Sequence, residues 1–232
     1  MALPKPQLSI FTLIIPSTKK KIKFRQFTVK EEKLLAQAEQ SEDIEIMTNA
    51  ITGIISSCCQ GIDNLNDLAL FDIEYIMTKI RAKSVGEKID LTMKCDVDEN
   101  HRPIPARIDL DTIEVTFPEG HDKKIGLFDD VGVVMKYPSF GQIDSLQNLG
   151  EIETIAACID YVYSGEEIFY SKEQTKEDLV EFLEGLTKSQ LEKIQEVFFV
   201  KMPKYVHTLK YTCFDCGHEH TKEIRGISSF FV

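Results

Sequence analysis

Hydrophobic positions along this chain follow two different periods, and together they predict an α+β protein. Short runs of alternating apolar residues predict strands, because successive side chains of a strand point to opposite faces. Such runs occur at Lys21–Phe27, across most of 87–137 and from residue 205. A continuous run at Leu8–Ile15, rich in β-branched and aromatic residues, also predicts a strand. Between them, apolar residues recur every three or four positions, which predicts amphipathic helices. We therefore expect helical subdomains around a small antiparallel β region.

The helical segments carry recognisable start and stop signals. Capping boxes open helices at Thr28 and Thr187, and Thr175 starts another. Two further helices are predicted at about 43–59 and about 71–82, and a short one follows Ser139. The inward positions of three predicted helices are Leu34, Leu35 and Ala38 in the first, Ile73, Ile76, Met77 and Ile80 in the third, and Ile152, Ile155, Ile159 and Val162 in a later one.

Two β-hairpins carry related tips. In the second, Cys213 and Cys216 are two residues apart and are followed by Gly217, a spacing that lets two thiolates face one metal ion. In the first, Cys95 aligns with Cys213, and Asp98 then stands where Cys216 would be expected. The sequence predicts one intact and one degenerate zinc-knuckle-like hairpin.

One zinc ion needs four ligands, and a single Cys-x-x-Cys supplies two of them. We expect the other two from the upstream tip, with Cys95 the stronger candidate and His101 the weaker; His218 and His220 are local alternatives. The simpler interpretation is that the two tips pack together without metal. A zinc ion with four protein ligands has no open position for water, so the predicted site is structural rather than catalytic.

No linker divides the chain, and pairing of the two hairpins would join its middle to its end. We therefore predict a single compact domain over 1–232. Its predicted subregions are an N-terminal hairpin with helices (1–86), a β region (87–137), a helical region (138–204) and a C-terminal hairpin with its tail (205–232).

The net charge and the placement of the cysteines argue against several classes of function. The chain has 232 residues and a net charge of −11, which argues against non-specific nucleic-acid binding, since that requires phosphate-neutralising Lys and Arg. The six cysteines are not placed for disulfides, and Cys58 is expected to fill the core. The apolar run near the N-terminus is too short to span a bilayer, and no secretory signal pattern is present. We expect a reducing cytoplasm and no membrane partner.

Sequence motifs for catalysis are absent. There is no glycine-rich phosphate loop, no nucleophile elbow and no His-Glu-x-x-His. The acidic pairs lie in predicted helices or turns and are best explained as solvated surface. We expect no enzyme activity and no small-molecule substrate.

Three segments resemble the T4-like phage baseplate family, the hub assembly proteins of contractile tails. They are the runs 22–35, 70–75 and 80–87, and a likeness in pattern and length extends over nearly the whole chain, from Phe11 to the tail with Phe230 and Phe231. The resemblance implies a protein made late in infection in the host cytoplasm, which helps to build the baseplate hub by binding other hub proteins. Family members often carry Cys-x-x-Cys in both hairpins, and Asp98 departs from that pattern.

Five charged residues carry part of the resemblance: Arg25, Lys30, Glu31, Glu32 and Arg81. They form either a buried ion network, which we favour, or a surface that recognises a partner. The apolar tail with Phe230 and Phe231 is a predicted partner contact.

Three functions follow from these observations. The first is a chaperone or scaffold for hub assembly, and the second is a structural hub subunit that stays in the virion. A third, of another class, is a zinc-ribbon adaptor for nucleic acid or polymerase, which would need a basic stripe beside the Cys213 hairpin. Lys210, Lys222 and Arg225 lie there, but acidic neighbours offset them.

Overall fold

The structure is a computed structural model that describes residues 7–41, 43–146 and 148–225. It confirms the predicted α+β class, with strands in small antiparallel sheets. The strands are β1 (Ile10–Ile14), β2 (Lys21–Arg25), β3 (Cys59–Gln60), β4 (Lys88–Met93), β5 (Ile104–Asp109), β6 (Val115–Thr116), β7 (Lys124–Phe128), β8 (Val131–Met135), β9 (Ile159–Ser164), β10 (Glu167–Tyr170), β11 (Lys204–Thr212) and β12 (Glu219–Arg225). The helices are α1 (Val29–Ser41), α2 (Ile44–Cys58), α3 (Leu70–Ser84), α4 (Ile143–Leu146), α5 (Glu151–Ala157), α6 (Lys176–Glu184) and α7 (Lys188–Ile194).

The fold divides into two compact units. The first contains the described parts of Met1–Leu65, Phe71–Val115 and Tyr205–Val232, and the second contains Asn66–Leu70 and the described parts of Thr116–Lys204. The middle of the chain and its C-terminal hairpin thus belong to the same unit. A single compact domain over 1–232 stays a prediction.

The first unit is organised around α3. Its predicted inward residues Ile73, Ile76, Met77 and Ile80 are all fully buried. Asp72 on the same helix is also buried, and its carboxylate accepts hydrogen bonds from the Ser17 amide at 2.9 Å and from the Ser17 hydroxyl. A helix that is buried on most sides needs its polar groups bonded in this way. The predicted β1–β2 hairpin is confirmed, and β3 extends it by pairing with β2.

The two hairpins of interest lie in the same unit. Strand β4 pairs with β5, and β11 pairs with β12, each antiparallel as predicted. On β11, Tyr205, Leu209 and Tyr211 are buried, as their alternation indicates. Both hairpins therefore bury apolar residues of their strands and carry the candidate cysteines and several charged residues in the loops at their tips.

The second unit is built on a four-stranded sheet in the order β10-β9-β8-β7. Helices α5, α6 and α7 contribute to its core, in which Val133, Ile159, Leu183, Ile194 and Phe198 are almost fully buried. The helix starts predicted at Thr175 and Thr187 are confirmed, and the structure shows a capping box at each of them. After α7 the chain continues as a π-helix, Gln195–Val200, which carries Phe198 into the core against His121 and Tyr137.

Three sequence predictions are wrong in detail. Helix α5 ends at Ala157, and Ile159 and Val162 belong to strand β9, although their spacing continues that of Ile152 and Ile155. Strand β9 is rich in aromatic and β-branched residues, which fit a pleated sheet better than a helix. It turns at Gly165 into β10, so the region 138–204 is not only helical. Leu34 is 42% exposed rather than inward.

Cys58 is buried, as predicted for a core residue. Cys158 is also buried but lies at the end of α5 rather than within a helix. Across the described ranges, none of the helices is both long enough and apolar enough to cross a lipid bilayer. The tail residues Phe230 and Phe231, predicted to contact a partner, lie outside the described residues.

Candidate metal centre

The tip of the second hairpin folds as a tight knuckle. The Cys213 amide donates to the His218 carbonyl at 2.9 Å, and the Gly217 amide donates to the Cys213 carbonyl at 3.0 Å. Gly217 has φ of 70°, a conformation that glycine adopts without a steric penalty. The residue after Cys216 is thus what allows the chain to turn back so that both thiols lie at the tip.

The first hairpin brings its own two candidates to the same place. Ligand atoms of Cys95, His101, Cys213 and Cys216 all lie within 4.8 Å of one another. The Sγ atoms of Cys95 and Cys216 are 3.8 Å apart, and no disulfide joins them. His101 Nδ1 is 3.3 Å from Cys95 Sγ and 3.5 Å from Cys213 Sγ. These are the four residues that the sequence singled out, and such a group can hold a metal ion.

The three separations of 3.8, 3.3 and 3.5 Å are close to the edges of a zinc tetrahedron. With zinc about 2.3 Å from sulfur and about 2.0 Å from nitrogen, tetrahedral geometry separates two sulfurs by about 3.8 Å and a sulfur from a nitrogen by about 3.5 Å. Cys95 and Cys213 are buried, His101 is partly buried and Cys216 is exposed. The four side chains therefore form a nearly closed donor set at the protein surface.

The surroundings of Cys95 favour its deprotonated form, the thiolate. Burial raises the pKa of Cys95, but hydrogen bonds with His101 and with the backbone amides of Asp98 and Val97 outweigh it and lower that pKa to about 5. The same bond with Cys95 raises the pKa of His101. A cation at this site would take the place of the imidazolium proton beside the thiolate.

Cys216 differs from Cys95. The amide of His218 lowers its pKa, but desolvation and the neighbouring thiols of Cys213 and Cys95 raise the pKa overall. Two adjacent thiolates repel each other unless a cation lies between them. The arrangement of the three sulfurs is therefore one that a divalent cation would stabilise.

A salt bridge ties the two tips together beside the cluster. Asp215, inside the knuckle, accepts from the Arg102 amide at 2.7 Å and from Arg102 Nε at 2.8 Å. Further down the hairpins, the Tyr211 hydroxyl donates to the Lys94 carbonyl at 3.2 Å. Neither Arg102 nor this role of Asp215 is predictable from the sequence, because their separation of 113 positions gives no local pattern.

The local alternatives, His218 and His220, do not join the cluster. His220 is buried, stacks on Tyr211 at a ring-centroid distance of 5.0 Å, and places Nδ1 3.3 Å from a carboxylate oxygen of Asp96. His218 lies edge-on against the His220 ring. The alternation along β12 explains the placement of His220, since its side chain points into the hairpin body rather than towards the tip.

The five charged residues predicted as a network or a recognition surface separate into two groups. Arg25 and Glu31 form a shielded ion pair at 2.7 Å, and Arg81 is buried with a bond from its guanidinium to the Gly86 carbonyl at 3.3 Å. Lys30 and Glu32 are exposed. Arg25, Glu31 and Arg81 are thus bonded within the fold, whereas Lys30 and Glu32 lie at its surface.

The comparisons with known proteins cover almost the whole chain. A family model described as T4 bacteriophage base plate protein matches residues 8–232. Among curated proteins, the Baseplate hub assembly protein gp26 of Enterobacteria phage T4 is 24% identical over 211 residues, which cover 90% of this chain and 92% of that protein. No solved structure matches the chain significantly. The family match includes both hairpins that carry the four candidate ligands.

Proposed function

Because this chain belongs to the T4 bacteriophage base plate protein family, we propose that it acts in assembly of the phage tail baseplate, as a non-catalytic factor that binds other hub proteins. The observation that carries the proposal is the match over residues 8–232, together with a relative of similar length named as a hub assembly protein. Its place of action is then the host cytoplasm, where tails are built.

The composition supports a role in protein binding. A net charge of −11 disfavours binding to nucleic acid, and the Arg225 side chain beside the second hairpin is paired with Glu223. The four-residue cluster offers a full tetrahedral donor set, which suits a structural metal rather than one that activates water. We expect no DNA retardation in a gel-shift assay, even at low salt.

A factor that assists assembly and a subunit that remains in the virion differ in where they are found. We propose the assembly factor, with the retained subunit as the alternative. Affinity capture from infected cells should recover hub proteins with this chain, and mass spectrometry of purified particles should find it absent or far below one copy per hub. Stoichiometric presence in particles would overturn the assembly factor in favour of the subunit, and capture without any baseplate protein would overturn both.

We further propose that the candidate metal centre holds one structural zinc ion. Three thiols and one imidazole form a donor set that suits zinc, and the inter-ligand distances fit its tetrahedral geometry. Iron also binds thiolates, so the metal must be identified directly.

Elemental analysis of the purified protein tests the zinc proposal. We expect about one zinc per chain in the unaltered protein and a strong loss of zinc in Cys216→Ser. The matched control is Cys59→Ser, which removes a partly exposed thiol that is not among the four ligands. Iron in place of zinc, no metal in the unaltered protein, or equal zinc in both variants would contradict the proposal.

A further inference from the structure

His101 presents a specific ring nitrogen to the candidate metal centre. Its Nδ1 atom is the one that lies 3.3 Å from Cys95 Sγ and 3.5 Å from Cys213 Sγ. A neutral imidazole that binds a metal through Nδ1 must carry its remaining proton on Nε2. The Nε2–H group then needs a hydrogen-bond acceptor outside the ring of ligands.

Asp98 is placed to be that acceptor. Its Oδ2 atom lies 3.9 Å from His101 Nε2. Its Oδ1 atom is already engaged, because it accepts from the Asn100 amide and from Asn100 Nδ2, each at 2.9 Å. The His101 amide also donates to the Asp98 carbonyl at 3.2 Å, which closes the turn between the two residues. Asn100 thus holds the carboxylate so that its second oxygen faces the imidazole.

Asp98 lies beside the donor set rather than within it. Asp98 is not among the four side chains whose ligand atoms converge, so it is not itself a ligand. A carboxylate beside the non-ligating nitrogen of a metal-bound histidine fixes the tautomer and orientation of the ring.

We propose that Asp98 is the positioning residue of the zinc site and holds His101 in the tautomer that binds through Nδ1. The inference rests on the proposed zinc ion. It also explains why an aspartate at the position matching Cys216 is compatible with metal binding: the fourth ligand moves three residues on, to His101, and the aspartate supports it. The 3.9 Å separation is about 1 Å longer than a hydrogen bond, and we expect it to shorten when metal draws in the ring.

Zinc affinity, measured by competition with a chromogenic chelator on the full-length protein, gives the first test. We expect Asp98→Ala to weaken zinc binding by about 10- to 100-fold, the effect typical of removing such an outer carboxylate. The matched control is Asp96→Ala, which removes the same charge two residues away, where the carboxylate faces His220 rather than a ligand. We expect the control to bind zinc within about twofold of the unaltered protein, since the effect sought is local.

The tautomer itself gives the second test, because a merely structural role for Asp98 would not change it. Long-range proton–nitrogen NMR spectra of the zinc-loaded protein should show His101 bound through Nδ1 with a slowly exchanging proton on Nε2. In Asp98→Ala that proton should exchange with water much faster, whereas Asp96→Ala should leave it unchanged.

The outcomes separate this inference from the zinc proposal. Absence of zinc from the unaltered protein would overturn both. Zinc binding with His101 attached through Nε2 would overturn the positioning role alone, as would equal affinities of the Asp98 and Asp96 variants.

Discussion

Glu31 joins three elements of the first unit through one carboxylate. Its Oε1 atom accepts from the Arg25 guanidinium on β2 at 2.7 Å and from the Ser57 hydroxyl on α2 at 3.3 Å. Its Oε2 atom accepts from the Thr28 amide at 2.8 Å and from the Thr28 hydroxyl, at the start of its own helix. Burial raises the pKa of Glu31, but the bonds from Arg25 and Thr28 outweigh it and lower the pKa to about 2.

A lowered carboxyl pKa stabilises the fold only while the carboxyl is ionised. We expect Glu31→Gln to lower the free energy of unfolding by about 3 kcal/mol at pH 7, the value that corresponds to the pKa shift. The stabilisation is complete above the unfolded-state pKa and is lost as pH falls towards the folded-state pKa. The difference between the two proteins should therefore shrink between about pH 4.5 and pH 2, as measured by urea denaturation over a pH series.

Glu32→Gln is the matched control, because Glu32 is the neighbouring residue and is exposed. We expect a change within about 0.5 kcal/mol at any pH. A Glu31→Gln variant as stable as the Glu32 variant at pH 7 would contradict the internal role of the Arg25–Glu31 pair. In that case the pair would return to being a candidate for partner recognition.

At the scale of elements, the capping boxes decide where the helices of the second unit begin. Thr175 accepts from the Asp178 amide at 3.1 Å, and the Asp178 carboxylate accepts from the Thr175 amide at 3.0 Å. The helix that follows, α6, buries Leu179 and Leu183. We expect Thr175→Ala to cost about 1 kcal/mol of stability, since it removes a helix-start hydrogen bond, measured by denaturant unfolding followed by circular dichroism.

Ser189→Ala provides the comparison for that measurement. Ser189 is exposed and is the second residue of α7. Alanine has a higher helix propensity than serine. We expect it to be neutral or slightly stabilising. Equal losses in the two variants would show that the Thr175 cap contributes nothing specific.

The sequence predicts an element of this fold well where its signal lies within a few residues and fits only one type of secondary structure. The helix starts at Thr175 and Thr187 were predictable, because a capping box lies within four residues. The region around Ile159 was not, because four apolar residues at helical spacing span a helix and the strand after it. Only pairing with β8, more than twenty residues earlier in the chain, decides in favour of a strand.

In the candidate metal centre too, the sequence predicts some of the residues and not others. The Cys-x-x-Cys spacing and its alignment with the first hairpin predict Cys95, Cys213 and Cys216, and His101 is the weaker candidate that the same upstream tip offers. The supporting residues are not predictable in this way: in the sequence Asp98 stands out only as a missing cysteine, and no pattern marks Arg102. Their functions depend on the orientation of side chains across a loop and between two hairpins, which sequence spacing does not specify.

At the scale of the whole molecule, the proposed zinc ion would close a very long loop of the chain. Cys95 and Cys216 are 121 positions apart, and most of the second unit, the segment Thr116–Lys204, lies between them in sequence. Holding such distant segments together has a cost in chain entropy that grows slowly with loop length. The free energy of metal binding would offset this cost. Without metal, the hairpin tips still share the Arg102–Asp215 pair, but this pair is exposed and therefore contributes little.

Metal removal should therefore loosen one part of the protein and leave the other intact. After dialysis against a strong zinc chelator, we expect hydrogen exchange to quicken in β4, β5, β11 and β12, because opening of the tips exposes the backbone amides of both hairpins. Exchange in the four-stranded sheet β7–β10 should not change, since its core contains none of the four ligands. The measurement is exchange followed by mass spectrometry, with and without zinc added back. Protein that never held zinc, or exchange that rises equally in β8 and β9, would show that the centre does not act as a local clamp of the first unit.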